Sequence, residues 1–227
     1  MTSFEKTRSM AEQIAEIRQK IPDSVRIIAV TKRVSVAAMR EAYQVGIRDF
    51  GESKVQEASF KQSQLQDLND ITWHLIGHLQ SNKASKALRQ FQWIHSVDSL
   101  KLARRLNVLS EQQSLKPKVC LQVKLLPDPN KYGWSESQLL EDLSILQQFQ
   151  QLQILGLMAI PPQGLTTSEI QVFFQRVREL GRKIRQQFWP QIQIQELSMG
   201  MSSDYQFAVQ AGATMIRLGR VLFGDRT

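Results

Sequence analysis

Short apolar bursts alternate with segments of helical periodicity along the whole of this sequence, and that alternation limits the chain to an α/β domain with a parallel sheet. The bursts fall at residues 25–31, 47–50, 72–76, 93–95, 117–123, 154–158, 196–198 and 215–218. They lack a clean polar alternation, as strands buried on both faces do. Between them the apolar residues recur at spacings of three and four. In residues 168–187 these are Ile170, Phe173, Phe174, Val177, Leu180 and Ile184, in the next clearest case Leu139, Leu140, Leu143 and Leu146, and then Leu102, Leu106 and Leu109. A further helix carries Met10, Ile14, Ile17 and Ile21 on one face before Pro22, ahead of the first burst. Eight such units in 227 residues match the lower end of the size range of a (β/α)8 barrel, so the expected fold is one barrel over 1–227 with an extra N-terminal helix. A doubly wound open sheet is the alternative, because alternation alone does not establish closure. The glutamine-rich tracts 147–153 and 186–195 carry interleaved apolar residues and read as helix surface and turn.

Composition removes several function classes. No apolar stretch approaches the roughly 20 residues needed to cross a bilayer, and charged residues interrupt the first twenty positions, unlike a secretory signal. The expectation is a cytoplasmic monomer with no membrane partner. Cys120 is the only cysteine and lies in an apolar burst, which points to burial and excludes an internal disulfide. The net charge of +8 raises the question of nucleic acid, yet the basic residues are scattered. Their densest group, Arg176, Arg178, Arg182, Lys183 and Arg185, sits on an amphipathic helix that needs a solvated face. No nucleic-acid partner is expected, and the positive field suits a small anionic ligand.

In a barrel of this kind the ligand face lies at the carboxyl ends of the strands, so polar residues there carry the most information. Lys32 ends the first apolar strand beside Arg33. A lysine with a desolvated stem and a cationic neighbour would hold its amine unprotonated, ready to attack an aldehyde. A lysine snorkelling to solvent explains the same pattern. After the seventh strand comes Ser198-Met199-Gly200-Met201-Ser202-Ser203-Asp204, and the eighth ends in Arg217-Leu218-Gly219-Arg220, where such barrels commonly bind phosphate. Ser202, Ser203 and Asp204 also suit a helix cap. All three histidines, His74, His78 and His95, lie near strands three and four. A zinc trio is conceivable there, but packing and hydrogen bonding explain them with fewer assumptions. The segment Phe223-Gly224-Asp225-Arg226 could bring Arg226 beside a ligand held by the last loop, although a tail arginine is ordinarily solvated.

These residues resemble the YggS/PROSC family of pyridoxal phosphate homeostasis proteins over essentially the whole chain. The motifs, in family order, are Ala29-Val30-Thr31-Lys32, Phe50-Gly51-Glu52-Ser53-Lys54-Val55-Gln56-Glu57, the run from Trp73 to Lys83, Ile94-His95-Ser96-Val97-Asp98-Ser99, Gly156-Leu157-Met158, Leu197-Ser198-Met199-Gly200-Met201-Ser202, Arg217-Leu218-Gly219 and Phe223-Gly224-Asp225-Arg226. The resemblance implies a barrel like that of alanine racemase, a fold type III binder of pyridoxal 5'-phosphate (PLP). It implies that Lys32 forms a Schiff base with the cofactor, that Ser202, Gly219 and Arg220 hold the phosphate, and that Arg226 approaches the pyridine nitrogen. Ser53, Met199 and Arg217 join the expected cofactor contacts. Ser53 stands where many members have Asn, and Arg220 where many have Thr, which puts a ring contact and a phosphate hydroxyl in doubt.

The implied function is a carrier or regulator in PLP supply and buffering, with effects on amino-acid balance, and no turnover of its own. Recipient PLP enzymes or regulatory proteins are the implied partners. The alternative is a small PLP enzyme such as an amino-acid racemase, with Tyr132 or Tyr205 as second base.

Overall fold

The computed structural model describes residues 9–224. Its strands are β1 (Arg26–Val30), β2 (Asp49–Glu52), β3 (Thr72–Leu75), β4 (Trp93–Val97), β5 (Lys118–Val123), β6 (Gln153–Ala159), β7 (Ile192–Met201) and β8 (Met215–Leu218). The α-helices are α1 (Met10–Gln19), α2 (Val36–Gln44), α3 (Val55–Gln64), α4 (Ala84–Gln90), α5 (Leu100–Gln112), α6 (Glu136–Leu146), α7 (Thr167–Arg185), α8 (Tyr205–Gln210) and α9 (Arg220–Phe223), with a 3-10 turn at Ser81–Lys83. Each strand pairs in parallel with the next, and β1 pairs with β8 through Ile28 opposite Arg217 and Ala29 opposite Leu218. The sheet is therefore a closed barrel and not the open alternative.

Local chemistry sets the helix starts. Ser9, Ser35, Ser99, Ser135 and Thr166 each accept a backbone N–H from the first turn of α1, α2, α5, α6 and α7. At Ser9, Ser135 and Thr166 the residue three positions on returns a bond to the cap, completing a capping box. Helix α7 buries Phe173, Phe174, Val177, Leu180 and Ile184, while its five basic residues are exposed, as a solvated face requires. One expectation fails: the tract 186–195 is not all helix surface and turn. Ile192 and Ile194 are buried and Gln193 and Gln195 exposed, so β7 starts there with period two, a signal masked by its glutamines.

The main core lies between barrel and helices. A second cluster, Ile28, Trp93, Cys120, Met158 and Met215, sits inside the barrel. Cys120 is buried as expected, and loss of solvent pushes its thiol pKa up. The added helix α1 buries Ile14 and Ile17 and packs against α2 and α9, while Arg18 Nη1 donates to Val25 O at 2.8 Å. Among the described residues no helix is long and apolar enough to cross a membrane.

Candidate ligand site at the barrel mouth

The turn that carries Lys32 is held from below by a buried ionic cluster. Thr31 Oγ1 donates to Glu52 Oε1 at 2.6 Å, and Lys61 Nζ donates to Thr31 O, to Glu52 Oε1 at 2.8 Å and to Glu57 Oε1 at 2.7 Å. Glu57 Oε1 also accepts from Arg33 N at 2.6 Å, which fixes Arg33 in a left-handed conformation at φ 58°. Burial raises the Glu52 pKa against the pull of Lys61 and Thr31, and its second oxygen lies buried with no hydrogen-bond partner among the described residues. At Glu57 burial acts upward too, but the bonds from Lys61 and Arg33 outweigh it and hold the carboxyl below its usual range. Beside this turn a Cβ on Gly77 would lie 2.3 Å from Ser53 O, so only glycine lets the ends of β2 and β3 meet and set Ser53 in the mouth.

On the opposite wall, Gly200 adopts φ +90°, and a Cβ there would stand 2.6 Å from Ala208 Cβ of α8. That close approach seats the 201–204 loop. Asp204 Oδ1 accepts from Met201 N at 2.6 Å, and burial raises the Asp204 pKa. Ser202 does not cap α8. Its Oγ accepts from Gly219 N at 3.2 Å and Val221 N at 3.3 Å, tying the loops after β7 and β8 together at the start of α9. These amides and the hydroxyl form a polar corner at the place where the sequence predicts phosphate contacts.

Arg217 rises from β8 between the two walls and is 4% exposed. Its Nη1 donates to Ser198 O and Ser198 Oγ, and Nη2 donates to Ala159 O at 2.9 Å. Burial lowers its pKa to about 10, so it stays a cation at neutral pH. Among the described residues no carboxylate makes an ion pair with it. A buried guanidinium in that condition is costly unless an electron-rich ligand faces it.

A cavity of about 660 Å³ joins these parts, lined among others by Lys32, Ser53, Ser202, Arg217, Gly219 and Arg220. Two expectations are corrected. Lys32 is exposed, so its stem is not desolvated as the apolar strand before it suggested, because the strand ends at Val30 and the turn carries the side chain into the open mouth. Met199 is fully buried in the outer core and Met201 lines the cavity in its place: Ser198 faces the barrel interior and turns its neighbour Met199 outward, and the irregularity between Ser198 and Met201, with Gly200 at φ +90°, breaks the alternation and brings Met201 to the mouth. Arg226 lies outside the described residues. Tyr132 is 56% exposed, stacked on His78 at 3.8 Å, and Tyr205 is a core residue; neither lines the cavity. The histidines do not form a metal site among the described residues. His78 bonds Asp98 at 2.8 Å on the rim, whereas His74 and His95 lie buried inside the barrel, touching at 2.9 Å.

A closed parallel barrel with a lysine, a buried arginine and a serine-glycine corner around one cavity at its carboxyl face defines a (β/α)8 barrel with its polar cavity where such folds carry their sites. The chain belongs to the family Alanine racemase, N-terminal domain, which it matches over residues 6–227, and within it to the pyridoxal phosphate homeostasis proteins. It is 49% identical over 212 residues to the pyridoxal phosphate homeostasis protein of Synechocystis sp., covering 93% of this chain and 96% of that protein. The corresponding protein of Pseudomonas aeruginosa is 40% identical, with 96% of both chains covered. PipY of Synechococcus elongatus PCC7942, solved with PLP bound, is 53% identical with a TM-score of 0.91, covering 95% of this chain and all of PipY. An alanine racemase of Clostridium difficile, at 12% identity and TM-score 0.80 over 96% of this chain and 56% of its own, shares the fold alone.

Proposed function

We propose that this protein binds PLP at the barrel mouth, covalently through Lys32, and serves its supply and buffering, with effects on amino-acid balance. The observation that carries this reading is the convergence of Lys32, Arg217 and the Ser202–Gly219–Arg220 corner on one cavity. Each part fits a part of the cofactor: a primary amine for the aldehyde, amide and hydroxyl groups for the phosphate, and a buried guanidinium donor for a lone pair at the edge of the ring. When bound, PLP supplies a reactive aldehyde and an electron-withdrawing ring. The binding of PLP by PipY and the names of the curated relatives support the assignment.

A carrier role is favoured over catalysis by the ionisable groups that line the cavity, which are Lys32, Arg217 and Arg220. The two arginines remain protonated and donate only, so neither exchanges a proton with a substrate carbon. With Tyr132 and Tyr205 turned elsewhere, the racemase alternative lacks its second base within that lining.

The test is the visible absorbance of the purified protein with added PLP, followed by borohydride reduction and peptide mapping. A band trapped on Lys32 and lost in Lys32→Ala is the expected result. Label spread over surface lysines, or no band, overturns the assignment. Exchange of the amino-acid α-proton in deuterated water, at a rate well above that of Lys32→Ala, would overturn the carrier role alone.

A further inference from the structure

Five side chains from five strands form an unbroken line across the inside of the barrel. Asp49 of β2 meets His74 Nε2 at 2.8 Å, His74 Nδ1 meets His95 Nε2 of β4 at 2.9 Å, and His95 Nδ1 meets Ser198 Oγ of β7 at 2.8 Å. Ser198 Oγ meets Arg217 Nη1 of β8 at 2.7 Å. His74, His95 and Ser198 are fully buried. Arg217 lines the ligand cavity, while Asp49 begins its strand at the opposite end of the barrel, beside Arg26 at 3.8 Å.

The direction of every bond in this line follows from the Asp49 end with neutral rings, and the Arg217 end is compatible with it. A guanidinium only donates, so Ser198 Oγ accepts from Arg217 and has its own hydrogen free to turn to His95 Nδ1. A hydrogen so turned makes His95 the Nε2–H tautomer, which donates to His74 Nδ1, and His74 in turn donates from Nε2 to Asp49. From the other end, the Asp49 carboxylate only accepts, which demands Nε2–H on His74 and then on His95. Both rings are kept neutral, His74 chiefly by burial against the pull of Asp49, and His95 by burial reinforced by His74, Arg217 and Arg26; Lys118 adds to the effect on His74. Each lone pair faces the Arg217 end and each hydrogen the Asp49 end, so the bonds polarise one another in the same sense.

We propose that Ser198, His95, His74 and Asp49 form a one-way hydrogen-bond relay that fixes the Arg217 guanidinium in the floor of the cavity, as positioning residues for ligand binding. This rests on the reading of the cavity as a PLP site. Nη1 is used up by Ser198 and one Nη2 hydrogen by Ala159 O, so the locked guanidinium keeps its Nε–H and second Nη2–H for the ligand. The line is not a proton path to the ligand, because its mouth end is a group that does not give up a proton at neutral pH. Its effect is on position.

The test has two readouts on the full chain. Long-range proton–nitrogen spectra of protein labelled with nitrogen-15 histidine, assigned with His74→Gln and His95→Gln, read the tautomers directly and need no cofactor. Both rings are expected as neutral Nε2–H forms from about pH 7 to about pH 8, and PLP addition is expected to move the His95 signals. PLP titration by absorbance then compares Ser198→Ala, His95→Leu and His95→Gln. Glutamine keeps an acceptor and a donor, so His95→Gln should stay within about twofold of the parent, while the other two weaken binding by roughly three- to tenfold, the loss of one hydrogen bond. Ser198→Ala leaves the smallest cavity and decides the matter if His95→Leu does not fold. An Nδ1–H or charged ring at neutral pH, or unchanged affinity in folded Ser198→Ala, overturns the relay. If the parent protein takes up no PLP, the cofactor reading falls and the relay's role with it, whereas the tautomers still report whether the directed line exists.

Discussion

At the residue scale, two side chains with the same apparent duty act differently. Ser202 and Asp204 both stand where a helix cap is expected, yet Ser202 Oγ serves the amides of Gly219 and Val221 across the mouth, and Asp204 folds back on Met201 N. Ser202→Ala should therefore weaken PLP binding by about three- to tenfold while shifting the urea midpoint little, a pairing that absorbance titration and unfolding curves check together. Lys32, Ser202, Gly219 and Arg220 were legible in the sequence because their motifs sit at strand ends, Ser53 only through the family resemblance, and the cavity brings all of them together. His74 and His95 were visible only as residues in need of partners. Their shared face depends on the register of β2, β3, β4 and β7, which a sequence does not print.

At the element scale, the turn after β1 depends on α3. Lys61 is 4% exposed and holds Glu52, Glu57 and the Thr31 carbonyl at once. Lys61→Met removes the cation that pairs with both Glu52 and Glu57, and the expected cost is about 3 kcal/mol, read as a lower urea midpoint with an unchanged slope. Gly200→Ala places a methyl against Ala208 at a positive φ and is expected to cost about 2 kcal/mol or more, with PLP affinity falling as the 201–204 loop shifts. Element identity was largely readable, since a helix with Phe173, Phe174, Val177, Leu180 and Ile184 on one stripe has few other ways to hide them. The beginning of β7 was not, because Gln193 and Gln195 present an outward polar row that composition alone does not separate from helix surface.

At the scale of the whole molecule, the barrel carries two buried neutral imidazoles, and this sets a pH dependence. His74 and His95 both titrate below their usual range when folded, with burial the chief cause. In the unfolded chain they take up protons near pH 6.5. The stability they contribute is full above about pH 6.5 and drains as the pH falls toward the folded values, because the unfolded state then binds protons that the native state refuses. The urea midpoint should be lower at about pH 5.5 than at about pH 7.5, and the difference should shrink in a His74→Gln, His95→Gln double variant. The (β/α)8 fold itself was readable from eight alternating units, but closure rests on the β1–β8 pairing. Closure also brings the first and last described helices side by side, since α1 packs on α9 and α9 begins at the corner formed by Ser202 and Gly219. Helix α1 thus works as a doorstop for the Ser202–Gly219 corner: a chain trimmed to start at Ile21 should keep its barrel signature in circular dichroism and, on the proposed function, lose its grip on PLP first.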